Sequence, residues 1–178
     1  VRWSEFANAQ PELAALGQRK LLDPGVVLVA TIRRDGSPRL SAVEPYLLDG
    51  ELWLSMLLES RKAKDLLRDP RVLVHSVVTG RDGADGEFKL RGTARPHTEP
   101  DLQRRYAAAV AESLGWRPVP GRFHLFAIDI ADVTFVRYDD PTGDQFVARW
   151  PRGGEYVRRA TSATSLGEPE PCHELLRQ

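Results

Sequence analysis

Cysteine is nearly missing: Cys172 is the only one in 178 residues. That excludes an intramolecular disulfide and any zinc site built from a cluster of cysteines. Long apolar runs are missing too. None approaches 18 residues, and the first residues lack the basic-then-apolar pattern of a secretion signal. The expectation is a cytoplasmic protein with no membrane contact. There is no excess of either charge, since 25 Lys and Arg balance 25 Asp and Glu. A nucleic-acid partner held by bulk charge is therefore not expected, which leaves room for a local basic pocket. His75, His97, His124 and His173 have no metal-ligand spacing, and no metal is expected. Gly-x-Gly-x-x-Gly, Walker and Gly-x-Ser-x-Gly signatures are absent, which removes the Rossmann, P-loop and hydrolase readings.

What is present is ordinary globular stock, 42% hydrophobic and 28% charged, in a length that suits one domain. Residues 4–22 read as one or two short helices, with Ser4 as a candidate N-cap and Pro11 opening a second helix. The apolar period then changes from 3.6 to 2. Val26–Ile32 is a β-branched run, Asp35-Gly36 a hairpin turn, Arg39–Leu48 the return strand, Asp49-Gly50 a second turn and Glu51–Met56 a third strand. Pro45 marks an edge or a bulge in the return strand. Ser60–Leu67 is a short helix and Arg71–Val78 a fourth strand. Phe88–Ala94 is a strand with one wet face. A helix starts at a box-like Thr98 and Asp101 and runs to about Leu114. Phe123–Tyr138 is one long strand or two broken near Asp129–Asp132, and Gln145–Trp150 is a last strand. The sum is a mainly β fold of six or seven antiparallel strands, a small closed or split barrel with helices at its ends. Within one domain, 1–22 form the N-terminal helices, 23–150 the barrel and 151–178 an extension whose composition at 160–171 is that of a tail.

The most informative local feature is Ser60-Arg61-Lys62. The start of a helix carries partial positive charge and free N–H groups, so two cations there are unfavourable unless an anion joins them. Ser60 as an ordinary N-cap beside a solvated basic end is the plain reading. A phosphate cradled by N–H groups, the Ser60 hydroxyl, Arg61 and Lys62 is the functional one. Arg39, near the start of the return strand, can point to the same place; otherwise it is a surface residue flanking a turn. His75 and His124 read as structural. Cys172-His173 reads as a chance pair, and Trp3, Trp53, Trp116 and Trp150 as core or interface anchors.

Ala30–Ser41, Asp49–Ser55 and Ser60–Val72 together resemble the pyridoxamine 5′-phosphate oxidase-like family, the flavin and deazaflavin split-barrel proteins. The resemblance covers residues 24–96 well and 121–150 loosely. It implies a six-stranded antiparallel split-barrel homodimer with flanking short helices, binding FMN, or in some branches the deazaflavin F420, in a cleft between subunits. By position it implies that Arg39 lies near the flavin. Leu40, Ser41 and Ala42 would run along the ring edge, Ser55 and Met56 would line the ring, and Ser60, Arg61 and Lys62 would hold the phosphate. Glu87 falls where many members carry a Gln that contacts FMN, and a carboxylate cannot donate as an amide does. Met56 replaces a frequent Thr and Glu59 a frequent Gly. The C-terminal Arg-Leu-His-type substrate motif of the true oxidases is absent, with Trp150-Pro-Arg152-Gly-Gly154 in its region, so pyridoxine phosphate is not the expected substrate. The implied activity is an FMN-dependent oxidoreductase acting on a small redox substrate. The alternatives are an F420-dependent reductase and a non-catalytic flavin or haem carrier or stress protein.

Overall fold

A computed structural model of the chain describes residues 1–115 and 117–172. Two helices, α1 (Trp3–Ala9) and α2 (Pro11–Leu21), precede the sheet. Pro11 opens α2, as its fixed φ and missing N–H suit a first helical position. Ser4 is not the N-cap of α1. Arg2 occupies that place, and the Ser4 N–H instead donates to the Gly50 carbonyl at 2.9 Å, tying the helix to the second predicted turn.

The strands are β1 (Val27–Ile32), β2 (Pro38–Val43), β3 (Pro45–Leu48), β4 (Glu51–Leu57), β5 (Arg71–His75), β6 (Glu87–His97), β7 (Phe123–Tyr138), β8 (Gln145–Trp150), β9 (Gly154–Ser162) and β10 (Ser165–Pro171). Helix α3 (Arg61–Arg68) joins β4 to β5, and α4 (Pro100–Leu114) joins β6 to β7. The predicted return strand is β2 and β3, bent at Glu44-Pro45, where the chain leaves its ladder with β1 and begins one with β4. Counting that bent strand once, six antiparallel strands run β2–β1–β5–β6–β7–β4–β3. β2 and β4 lie side by side without a ladder, so the ring is split there and is not a closed barrel.

β7 is a single strand that pairs β6 along its length, β4 through Phe123–Ala127 and β8 through Val133–Tyr138. The break predicted near Asp129–Asp132 is a bulge, with Ala131 as the extra residue opposite Arg91 and Gly92. Gly92 is required there, because a Cβ would overlap the Asp129 carbonyl oxygen. The predicted tail is also a correction. β9 and β10 extend the sheet beyond β8, and 160–171 is ordered because its backbone continues that ladder. Pro169, Pro171, Glu168 and Glu170 on β10 make the outermost edge a poor template for further pairing.

Alternation places Val27, Val29, Leu54, Phe88, Leu90, Phe126 and Ile128 in one core, sealed by Trp3, Phe6, Leu13 and Leu21 of the N-terminal helices. The opposite face of β1, with Leu28, Ala30 and Ile32, is half-buried. A second core beneath α4 contains Trp53, Tyr106, Val110, Phe123 and Leu125. α4 starts after Glu99 and no side chain caps it, so the Thr98–Asp101 box does not form.

One buried carboxylate fixes α3 against the sheet. Asp65 accepts hydrogen bonds from Thr31 Oγ1 of β1 at 3.1 Å and Arg39 Nε of β2 at 2.6 Å. Arg68 Nη1 lies 3.4 Å from its other oxygen. Burial pushes the Asp65 pKa up, but the hydrogen bonds from Arg39 and Thr31 and the charge of Arg39 outweigh it, and the net direction is down. Asp65→Asn is expected to cost roughly 1.5–3 kcal/mol at pH 7, the worth of a hydrogen bond to a charged group. A lowered native pKa means this stabilisation is complete above the unfolded value of 3.8 and fades as pH falls through the native one. Denaturant midpoints of the wild type and Asp65→Asn are therefore expected to differ at neutral pH and to converge below pH 4.

Candidate cofactor-binding site

The site grows from the start of α3. Ser60 is its N-cap, with the side-chain oxygen accepting the Ala63 N–H at 3.3 Å, and the Lys64 N–H donates to the Ser60 carbonyl at 3.1 Å. Among the described residues the N–H groups of Arg61 and Lys62 have no such partner, and the first turn holds no acid. The Ser60 hydroxyl thus caps the helix, and its hydrogen remains free to donate. Neither the Arg61 nor the Lys62 side chain forms an ion pair with a described residue.

Two concavities flank this helix end, and between them they take six of the ten predicted site residues. The first, about 520 Å³, lies at the split between β2 and β4. Val26, Val43, Met56, Leu57 and Phe123 give it apolar walls, and Ala42, Ser55 and Lys62 also line it. The second, about 390 Å³, lies between the β1–β2 turn and α3 and takes Arg39 and Arg61. Adjacent helix residues diverge by about 100°, so Arg61 and Lys62 face opposite sides of one N-terminus. Leu40 is 63% exposed on the outer face of β2. Ser41 pairs Val29 and lines neither concavity.

Glu87 is not brought to the site. It stands on β6, three strands from β2, roughly 14 Å at ordinary strand spacing. Lys89 and His75 hold it there, with His75 Nε2 at 3.1 Å. Burial raises its pKa, but these two partners outweigh it and the net direction is down. The other predicted structural roles hold where they can be seen. His75 Nδ1 lies 2.6 Å from the Ser76 carbonyl and His124 Nε2 3.2 Å from that of Leu58. Trp3 and Trp53 are buried, and Trp150 packs on Phe6. Trp116 and His173 lie outside the described residues, which leaves the Cys172-His173 pair unplaced.

Three charged residues that line the first concavity, and a fourth residue behind its wall, are not marked by any sequence motif. Glu44 projects from the β2–β3 corner, and Arg117 and Arg122 come from the loop before β7. That loop is held to α4 by the Gly121 N–H donating to the buried Gln103 side chain at 2.7 Å. Tyr106 is the fourth, buried behind the wall beside Ser55. Burial pushes its pKa up to about 12, against the pull of Ser55 and with help from Glu44. It stays protonated at neutral pH and cannot act there as a base. The signal for Glu44 was available, since a charged residue directly before Pro45 at a strand corner must face out of the ladder. Nothing in Arg117–Arg122 has motif character.

The arrangement offers apolar walls, a hydroxyl, and a lysine and helix-start N–H donors without partners among the described residues, which suits a partly apolar anion. Comparison with known proteins agrees in fold. PhzG from Burkholderia lata 383, solved in complex with tetrahydrophenazine-1-carboxylic acid, is 16% identical, with 90% of this chain and 93% of that chain covered and a TM-score of 0.58. A haem-binding protein from Mycobacterium smegmatis is 22% identical, covering 68% of this chain and 53% of that one, with a TM-score of 0.53. An F420 reductase is 16% identical, covering 65% and 94%, with a TM-score of 0.52. No curated protein matches the chain. The family model for pyridoxamine 5′-phosphate oxidase matches residues 15–137, which takes in both concavities and more than half of the sequence. The chain belongs to the pyridoxamine 5′-phosphate oxidase family.

Proposed function

We propose that the protein is an FMN-binding oxidoreductase whose cofactor phosphate sits at the N-terminus of α3. The observation that carries the reading is Lys62 and the first N–H groups of α3, without partners among the described residues, at the edge of an apolar-walled cavity of small-molecule size. Lys62, Arg61 and the N–H groups bind the phosphate, and the Ser60 hydroxyl adds a donor. Met56, Val43 and Ala42 exclude water from the ring, and Ser55 lines the cavity beside it. When bound, the flavin supplies the electron-transfer chemistry. No side chain of the cavity is assigned as acid or base. Within one chain Glu87 is engaged by His75 and Lys89 and is given no role at the phosphate.

A deazaflavin-using reductase is the second reading, supported by the F420 reductase among the fold relatives. A haem carrier is weaker. One relative is named for haem binding, but its likeness is one of fold, and His75 and His124 are occupied by other bonds. The absorption spectrum of the purified protein separates flavin, deazaflavin and haem.

The working form under this proposal is a homodimer. Support comes from a contiguous apolar face on which Leu28, Ala30, Leu40, Ala42 and Leu73 stand side by side by register. It adjoins the first concavity through Ala42. An apolar face of this kind favours burial against a second copy. Sedimentation is expected to show a species of twice the chain mass; a 19.9 kDa monomer at micromolar concentration would remove the dimer.

Replacing Arg61 and Lys62 by Gln tests the phosphate assignment. Both cations sit where the helix charge disfavours them, so melting of the cofactor-free protein is expected to stay unchanged or rise slightly. FMN affinity is expected to fall at least tenfold, about 1.4 kcal/mol. Riboflavin, which lacks the phosphate, is expected to bind both forms equally. Equal losses for FMN and riboflavin would place these residues in the ring pocket or the fold instead.

A further inference from the structure

We infer that a third concavity, between the last turn of α3, the start of α4 and the loop before β7, is a binding site for a small uncharged ring compound bearing a carboxamide or lactam group. Its volume is about 540 Å³, within the range of small-molecule pockets. Leu58, Leu67, Phe123, Leu125 and Pro120 give it apolar walls. Gln103 of α4 carries the argument. It is 7% exposed, and its Oε1 accepts the Gly121 N–H at 2.7 Å. That bond fixes which end of the amide is oxygen, since an N–H needs an acceptor. The amide nitrogen is thus held in the lining of the cleft, with two N–H groups and no acceptor among the described residues.

Two histidines of the same lining supply the complementary function. His124 Nε2 lies 3.2 Å from the Leu58 carbonyl, and His97 Nδ1 lies 3.2 Å from Glu99 Oε2. A carbonyl and an ionised carboxylate only accept, so each of those nitrogens carries the ring hydrogen. In the neutral rings, His124 Nδ1 and His97 Nε2 are then bare acceptors. His97 Nε2 is buried without a partner, and its ring is held edge-on to Trp53 with centroids 5.1 Å apart. His124 Nδ1 has no partner among the described residues. Buried polar groups are normally paired, and a bound molecule would pair these. A ring that fills the apolar space, offers a C=O to Gln103 and offers an N–H to an imidazole matches the set. A carboxamide or a lactam carries both on adjacent atoms. Charge is not called for. Histidines aside, Arg104 is the one charged side chain among the described residues of this lining, and Asp101 already pairs with it.

The inference stands apart from the flavin reading, although Phe123 lines both this cleft and the first concavity. Titration of the isotope-labelled full chain with nicotinamide, uracil and nicotinate, followed by proton–nitrogen NMR, tests it. Nicotinamide carries a carboxamide and uracil a lactam, while nicotinate replaces the amide by a charged group that cannot donate. The Gln103 side-chain amide and the Gly121 N–H are expected to shift with nicotinamide or uracil. Whichever binds more tightly identifies the site as one for carboxamides or for lactams. Nicotinate is expected to bind at least tenfold more weakly. Gln103→Glu keeps the acceptor for Gly121 and loses the donor, and the leading compound is expected to bind it at least tenfold more weakly. Leu67→Trp fills the cleft from a half-exposed rim position and touches none of these hydrogen bonds. It is expected to weaken the leading compound by a similar factor, with an unchanged melting temperature and FMN affinity within twofold of wild type. No shift at Gln103, equal binding of nicotinate, or full affinity in Leu67→Trp would overturn the inference. So would shifts that fall on Ala42 and Met56 instead, because the compound would then occupy the first concavity. If wild type binds no FMN but Gln103 responds to nicotinamide or uracil, the flavin reading fails and this one stands.

Discussion

The buried Asp65 carboxylate is the contact on which the geometry around α3 depends. A helix of eight residues has little stability of its own. It holds its place because Ala63 and Leu66 enter the core and because Asp65 bonds to two strands at once. With the helix fixed to β1 and β2, its first two residues are fixed as well, one facing each concavity. The same carboxylate turns Arg39 from a free surface cation into an oriented one. A charge that is buried and satisfied from three sides costs little, and removing it would leave Arg39 without its counter-ion.

β7 plays the corresponding part for the sheet. By pairing β6 throughout and then β4 and β8 at its two ends, it lets one ring of strands open at the β2–β4 split and one ladder continue outward through β9 and β10. The split is where the first concavity lies, so the failure of the ring to close is what makes room for a ligand. The bulge at Ala131 and the closeness of Gly92 to Asp129 absorb the change in direction. α4 completes the arrangement from outside, with Tyr106 backing Ser55 and Gln103 holding the loop that brings Arg117 and Arg122 to the rim.

Much of this was legible from residue pattern, for identifiable reasons. Turns carrying Asp-Gly, β-branched runs and the Ser60 cap are local signals, and the elements they mark form as expected. The β9–β10 pair was not legible. Its Thr, Ser, Gly, Glu and Pro residues give no apolar alternation, because β10 is an exposed edge and β9 is only partly buried. The site was legible as a set of residues but not as a geometry. Arg61 and Lys62 are neighbours in sequence, and only the helical turn shows that one lines each concavity. Glu87 was placed by resemblance alone, and its tie to His75 and Lys89 depends on a cross-strand register that no short motif encodes. Arg117 and Arg122 lie far along the chain from α3 and reach the cavity only through tertiary packing.

The central claim is that α3, anchored by Asp65, presents a phosphate site beside the apolar cavity at the split. A crystal structure of the protein soaked with FMN tests it most directly. The account predicts the phosphate within hydrogen-bond distance of Lys62 Nζ and the N–H groups of Arg61 and Lys62, with the ring against Ala42 and Met56. A phosphate bound away from α3, with the ring outside the β2–β4 cavity, would contradict it.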